Sequence, residues 1–208
     1  MHSISAVELL AREAGALALS HFKALGSVPV ESKGHLDLVT AADQDVERFL
    51  TEGLVKTFPN DGIFGEEGAA HQGNSGRTWV IDPIDGTKNF TKGNHFFCTM
   101  VCLLRFGTPV LAVIFDPLND RYIAAEEGSG SWLHKTTNSS AEKLKVAEAV
   151  KLDQMSGFLS LGGFRDRPTR DKMRSLADQV FKSYNNLGCT GHEYVQLVMD
   201  DKHFTINY

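Results

Sequence analysis

Cysteine is scarce in this sequence. The 208 residues hold three, Cys98, Cys102 and Cys189, an odd count with no Cys-x-x-Cys spacing. This excludes a disulfide framework, and the spacing is not that of a zinc site, so reduced thiols in a reducing compartment are expected. No apolar run approaches the ~20 residues that a membrane span requires. The opening Met1-His2-Ser3-Ile4 has neither the basic flank nor the apolar core of a secretory signal. Lys and Arg do not cluster into a basic face, and 26 acidic residues outnumber 21 basic ones for a net charge of −5. Nucleic acid is therefore disfavoured as a partner, because nonspecific polyanion binding needs such a face. A small phosphate ester is not excluded. Repeats and low-complexity tracts are absent as well. The expectation is a cytoplasmic protein with no nucleic-acid or membrane partner. Its hydrophobic and charged fractions, 42% and 23%, are ordinary for a globular chain able to bury a substantial core.

What is present divides into two stretches. Ile4, Val7, Ala11, Ala14, Leu17 and Ala18 recur at helical spacing, and Gly26 is a plausible stop. A second helix is expected after Thr40, with Thr40 as cap, Asp43 three residues on, and Val46, Phe49, Leu50 and Leu54 as its buried stripe. Pro59-Asn60-Asp61-Gly62 ends it. Short strands are expected at 63–65, 79–81, 96–106, 110–115, 122–125 and 132–133, with turns between them. This pattern predicts an α+β lobe over 1–138 with a largely antiparallel sheet and helices on one face. From 139 a partial α/β lobe follows: a strand at 158–160, helices near 169–181 and 191–199, and a strand at 203–208.

Carboxylates carry the chemical signal. Glu66-Glu67 follows one strand, and Asp82-Pro83-Ile84-Asp85-Gly86-Thr87 ends another. Proline fixes its own backbone and restricts its predecessor, so Asp82 and Asp85 are expected in a stiff turn outside the regular strand. A rigid turn of this kind aims two carboxylates at one point and also offers the Ile84 carbonyl. Hard oxygen donors suit Mg²⁺ or Mn²⁺. The Thr87 hydroxyl can orient a water, and the Gly86 and Thr87 backbone N–H groups can face a phosphate.

The run Gly65-Glu66-Glu67, then Trp79-Val80-Ile81-Asp82-Pro83-Ile84-Asp85-Gly86-Thr87-Lys88-Asn89-Phe90, resembles the inositol monophosphatase family of lithium-sensitive, magnesium-dependent phosphatases. Lys33 and Asp37-Leu38-Val39-Thr40-Ala41-Ala42-Asp43 extend the resemblance upstream, and it covers nearly the whole chain. It implies a layered αβαβα sandwich, here with the second α/β lobe incomplete at the C-terminus. It implies two or three Mg²⁺ ions, with Mn²⁺ as a substitute. Glu66, Asp82 and the Ile84 carbonyl would hold the first ion, Asp82 and Asp85 a second, and Glu67 would sit by a weaker third. Thr87, hydrogen-bonded to Asp43, would activate the attacking water. Asp85 and the Gly86 and Thr87 N–H groups would meet the substrate phosphate, and Lys33 would lie on a loop over the site. The reaction implied is direct attack by water on a small phosphomonoester, and the family commonly forms homodimers. Family members also carry a Trp-Asp motif in the second lobe. Here Trp79 belongs to the first motif and Trp132 precedes Leu133, so the motif is missing and an incomplete sequence is the expected reason.

Other features are expected to be structural. His35, His95, His192 and His203 are scattered. Gly128-Ser129-Gly130 lacks a Walker lysine and reads as a hairpin turn. Arg165, Asp166, Arg167 and Arg170 read as a solvated loop, and Cys98 and Cys102 as core. Inositol monophosphate is the expected substrate. Histidinol phosphate, a nucleoside bisphosphate and a sugar bisphosphate are the alternatives. A non-catalytic protein that binds a phosphorylated ligand or dimerises is the competing class if the chain ends at Tyr208.

Overall fold

The computed structural model describes residues 4–25, 33–135, 141–200 and 202–208, with residues 33–40 described by their backbone alone. Helix α1 spans Ile4–Leu25 and α2 spans Lys33–Thr57. Val7, Ala11, Ala14 and Ala18 on α1 are fully buried, as are Val46, Leu50 and Leu54 on α2. These are the stripes of two helices that share one core. Helix α2 begins at Lys33, upstream of the expected cap at Thr40. A threonine cap is worth only about 1 kcal/mol, and no proline within 33–40 stops the helix from continuing backward.

The next strands are β1 (Gly62–Gly65), β2 (Ala70–His71) and β3 (Arg77–Asp85), followed by the short helix α3 (Thr87–Thr91). Then come β4 (Cys98–Arg105), β5 (Thr108–Asp116), β6 (Arg121–Glu126), β7 (Gly130–Lys135) and β8 (Ala141–Lys143). They form an eight-stranded sheet in the order β2-β1-β3-β4-β5-β6-β7-β8. Every neighbouring pair is antiparallel except β1–β3, which is parallel. The β4–β5 hairpin turns through Phe106 and Gly107, both at positive φ (50° and 82°). That is the hand of turn that matches strand twist. Because β8 pairs with β7, the large sheet takes in residues beyond 138.

A 3₁₀ turn at Leu152–Gln154 leads into β9 (Ser156–Ser160), α4 (Arg167–Val180), β10 (Ser183–Asn185), α5 (Thr190–Met199) and β11 (Phe204–Asn207). Strand β9 is central, parallel to both β10 and β11. The stretch around Asp166 is no solvated loop, because Asp166 caps α4 by accepting the Thr169 N–H at 2.8 Å.

Layering follows from which residues alternate. On β5, Val113 packs with α1 and α2, whereas its neighbour Ile114 packs with Val195 of α5. Helix α5 therefore covers the other face of the large sheet and also touches β11 of the small one. Ala177 of α4 packs on Leu159, beyond that small sheet. The order is αβαβα, the sandwich expected. No described helix is long and apolar enough to cross a membrane.

Candidate metal centre

Strand β3 brings Asp82 and Asp85 to one face by means of a bulge. Asp82 pairs with Met100 and Asp85 with Cys98, so β3 advances three residues where β4 advances two. The extra residue lets Ile81 and Ile84 both enter the core of α1 and α2, and both carboxylates then lie on the opposite side, in register with Met100 and Cys98. The expected turn outside the strand is thus a bulge within it. Pro83 has no N–H to donate to the ladder and is tolerated where pairing is already interrupted. Its carbonyl accepts the Thr99 hydroxyl at 2.9 Å.

Glu66 and Glu67 sit in the turn between β1 and β2, and a residue of α2 holds that turn. Glu47 is buried, and its two oxygens accept the backbone N–H of Glu67 (2.8 Å) and of Ala69 (2.7 Å). Gly65 makes this possible, since an added Cβ there would lie 2.3 Å from Oε2 of Glu47. Sequence reasoning missed Glu47. Its signal was a second acid one helical turn after Asp43, on the stripe that contains Val46 and Leu50.

The acids crowd one another. Burial, then the charge of Asp85 and of Glu66, push the Asp82 carboxyl up to about 9. Asp43 on α2 is raised to about 7 by burial and by Glu67, Glu66 and Glu47. Glu67 is raised by burial and by Glu66 and Glu47. Glu66 raises Asp82 by its charge and by its side chain, and acids that crowd in this way are relieved by sharing a proton or a cation. Asp82 Oδ1 is buried and has no hydrogen-bond partner among the described residues. An orphaned carboxylate oxygen among other acids fits a divalent cation, which would both partner the oxygen and neutralise the charge. The set is not drawn fully together, however. Among the described residues, the trio of acidic, His or Cys ligand atoms lying within 4.8 Å of one another is Asp85, Cys98 and Cys189.

Gly86 precedes α3 at φ 89°, where its missing side chain also spares the Phe96 carbonyl, 2.5 Å from an added Cβ. The Thr87 hydroxyl donates to the Ile84 carbonyl at 3.1 Å, not to Asp43. This is a correction to the expected pair: the hydroxyl takes the acceptor within its own turn. Lys33 opens α2, and its side chain lies outside the described residues. Helix α5 and the residue before it reach the centre, where the Gly191 N–H and the Cys189 thiol both meet Asp85 Oδ2. Nearby, buried His192 places Nε2 3.1 Å from the Phe97 carbonyl, a core role.

The family model for the inositol monophosphatase family matches residues 2–208. The chain belongs to that family. It is 36% identical over 157 residues to Nus factor SuhB of Xylella fastidiosa, covering 76% of this chain and 54% of that protein. It is 33% identical over 174 residues to a histidinol-phosphatase of Mycobacterium tuberculosis (83% of this chain, 66% of the other), and 36% over 139 residues to an inositol-1-monophosphatase of Rhizobium meliloti (66% and 52%). The structure of Mycobacterium tuberculosis SuhB superposes with a TM-score of 0.77 at 25% identity, over 94% of this chain and 73% of the other. The chain thus spans about half to two thirds of the length of these curated relatives. Members of this family are phosphatases that depend on a metal.

Proposed function

We propose that the protein to which this chain belongs hydrolyses a small phosphomonoester, inositol monophosphate first, with Mg²⁺ as its metal, and that it works as a homodimer. The observation that carries the reading is Asp82 Oδ1, buried and unpartnered among acids whose protonation is forced upward. Glu66, Asp82, Asp85 and the Ile84 carbonyl would hold the metal, with Glu67 at a further, weaker position. A bound divalent cation supplies a lowered water pKa and neutralises charge on the phosphoryl group.

This chain's own residues do the rest. Gly86 and Thr87 offer backbone N–H groups to the phosphate, and Asp85 meets the substrate beside them. To orient a water, the Thr87 hydroxyl must release the Ile84 carbonyl and turn towards Asp43. Asp43, raised to about 7, is matched to accepting a proton near neutral pH. Lys33 would approach from the start of α2. The carboxylates belong to the lobe of residues 1–138, and the substrate side to that of 139–208.

The test is phosphate release by the purified protein from a panel of phosphomonoesters, with and without Mg²⁺. Asp85→Asn should abolish the Mg²⁺-dependent release, and undiminished turnover would sink the metal assignment. Preference for histidinol phosphate is the second reading, favoured by the relative of that activity. Nucleoside and sugar bisphosphates complete the panel. Mg²⁺ binding without turnover on any ester would assign a phospho-ligand-binding role instead.

A further inference from the structure

The sequence spaces its cysteines so that no two look like partners, yet the fold brings two of them together beside a carboxylate. Cys98 begins β4, and Cys189 is the residue just before α5. Their sulfurs lie 3.8 Å apart, and both are buried. Asp85 Oδ2 lies 3.2 Å from the Cys189 sulfur and 3.8 Å from that of Cys98. Two sulfurs held at about 2.3 Å on a tetrahedral ion stand about 3.8 Å apart, and a sulfur and a carboxylate oxygen about 3.5 Å apart. The three donors stand near the corners of such a tetrahedron, with the sulfur–sulfur distance matched and the two sulfur–oxygen distances, 3.2 and 3.8 Å, on either side of the ideal.

A second observation points to the same spot. Gly191 has no side chain where an added Cβ would lie 2.3 Å from Cys98 Sγ, 2.9 Å from Met100 Sδ and 3.2 Å from Asp85 Oδ2. A thioether therefore converges with the Cys98 thiol and the Asp85 carboxylate at a bare point on the helix. Donors of this softness disfavour Mg²⁺ and select thiophilic ions.

We propose that Cys98, Cys189 and Asp85, with Met100 beside them, form a site for one thiophilic divalent cation of the zinc class. Binding replaces the two thiol protons by metal–sulfur bonds and releases those protons, with no change of oxidation state. The ion clips β4 of the first lobe to the start of α5 in the second. It also occupies Asp85, so that it opposes hydrolysis. That last consequence rests on the phosphatase reading above, whereas the site itself does not.

Cd²⁺ is the probe, titrated into the reduced, metal-free protein. One equivalent should bind with a thiolate-to-cadmium charge-transfer band in the ultraviolet, and should protect Cys98 and Cys189 from alkylation. Cys98→Ser and Cys189→Ser should each lose the band, and Cys102→Ser should keep it. No band and no protection in protein whose thiols are shown to be reduced would overturn the site. A band that survives in the Cys98→Ser/Cys189→Ser double variant would do the same. The alkylation arm needs no variant and so does not depend on any variant folding. Cd²⁺ binding by protein that releases no phosphate would leave this site standing and remove only the phosphatase reading.

Discussion

Glu47 holds Glu67 by its backbone: Oε2 of the first accepts the N–H of the second at 2.8 Å. The acid on α2 thereby sets the turn that presents Glu66 and Glu67. Replacing it, as Glu47→Ala, leaves two donors without their charged acceptor and should cost about 2 kcal/mol of stability. The urea midpoint should fall, and the Mg²⁺ concentration for half-maximal activity should rise several-fold. A lower midpoint with unchanged Mg²⁺ dependence would mean that Glu47 supports the fold without shaping the metal centre.

The acids of the centre make the metal-free protein sensitive to pH in an unusual direction. Asp43 and Asp82 are raised in the folded chain from 3.8 to about 7 and about 9. Between the unfolded and folded values the native state binds more protons than the unfolded one, so stability falls as pH rises. In chelator, the melting temperature should drop from pH 5 through pH 8 and beyond. Saturating Mg²⁺ should reverse most of that loss. A melting temperature in chelator that climbs over this range would contradict the crowding.

Gly15 on α1 faces Phe115 on β5, and an added Cβ would lie 2.1 Å from the ring. Alanine is the better helix former by about 1 kcal/mol, but overpacking of a core costs about 1–3 kcal/mol. Gly15→Ala should therefore destabilise in thermal or urea unfolding, and Phe115→Leu in the same chain should restore part of the loss. A stabilised single variant would show that the interface yields more easily than its spacing suggests.

Asn89 links α3 to the segment just ahead of α5 by donating to the carbonyls of Leu187 (2.8 Å) and Gly188 (3.2 Å). Asn89→Ala should cost about 1 kcal/mol, with faster amide exchange concentrated in α5. Uniform acceleration across both sheets would indicate a global effect instead.

Much of this was legible in the sequence because its strongest signals are local. The stripe Val7, Ala11, Ala14, Ala18 and the run Asp82 to Thr87 need no knowledge of distant residues. The layered sandwich came from resemblance, and the structure has it. What escaped depends on pairing across the chain. The bulge at Asp82–Asp85 exists only relative to β4. Glu47 matters only because the turn at 66–69 folds back onto α2. Strand β10, three residues long, carries too little pattern to stand out before β9 is there to pair with it. The Thr87 hydroxyl found an acceptor three residues away, which an expectation centred on Asp43 overlooked.

The bond from Gly191 to Asp85 spans 106 residues. Contacts so distant in sequence form late, since a long loop must close first. During synthesis, Asp43, Glu66, Glu67, Asp82 and Asp85 all leave the ribosome well before α5 does. Until α5 has been made and has docked, Oδ2 of Asp85 lacks both the Gly191 N–H and the Cys189 thiol, so the last helix to emerge is what completes the surroundings of that oxygen.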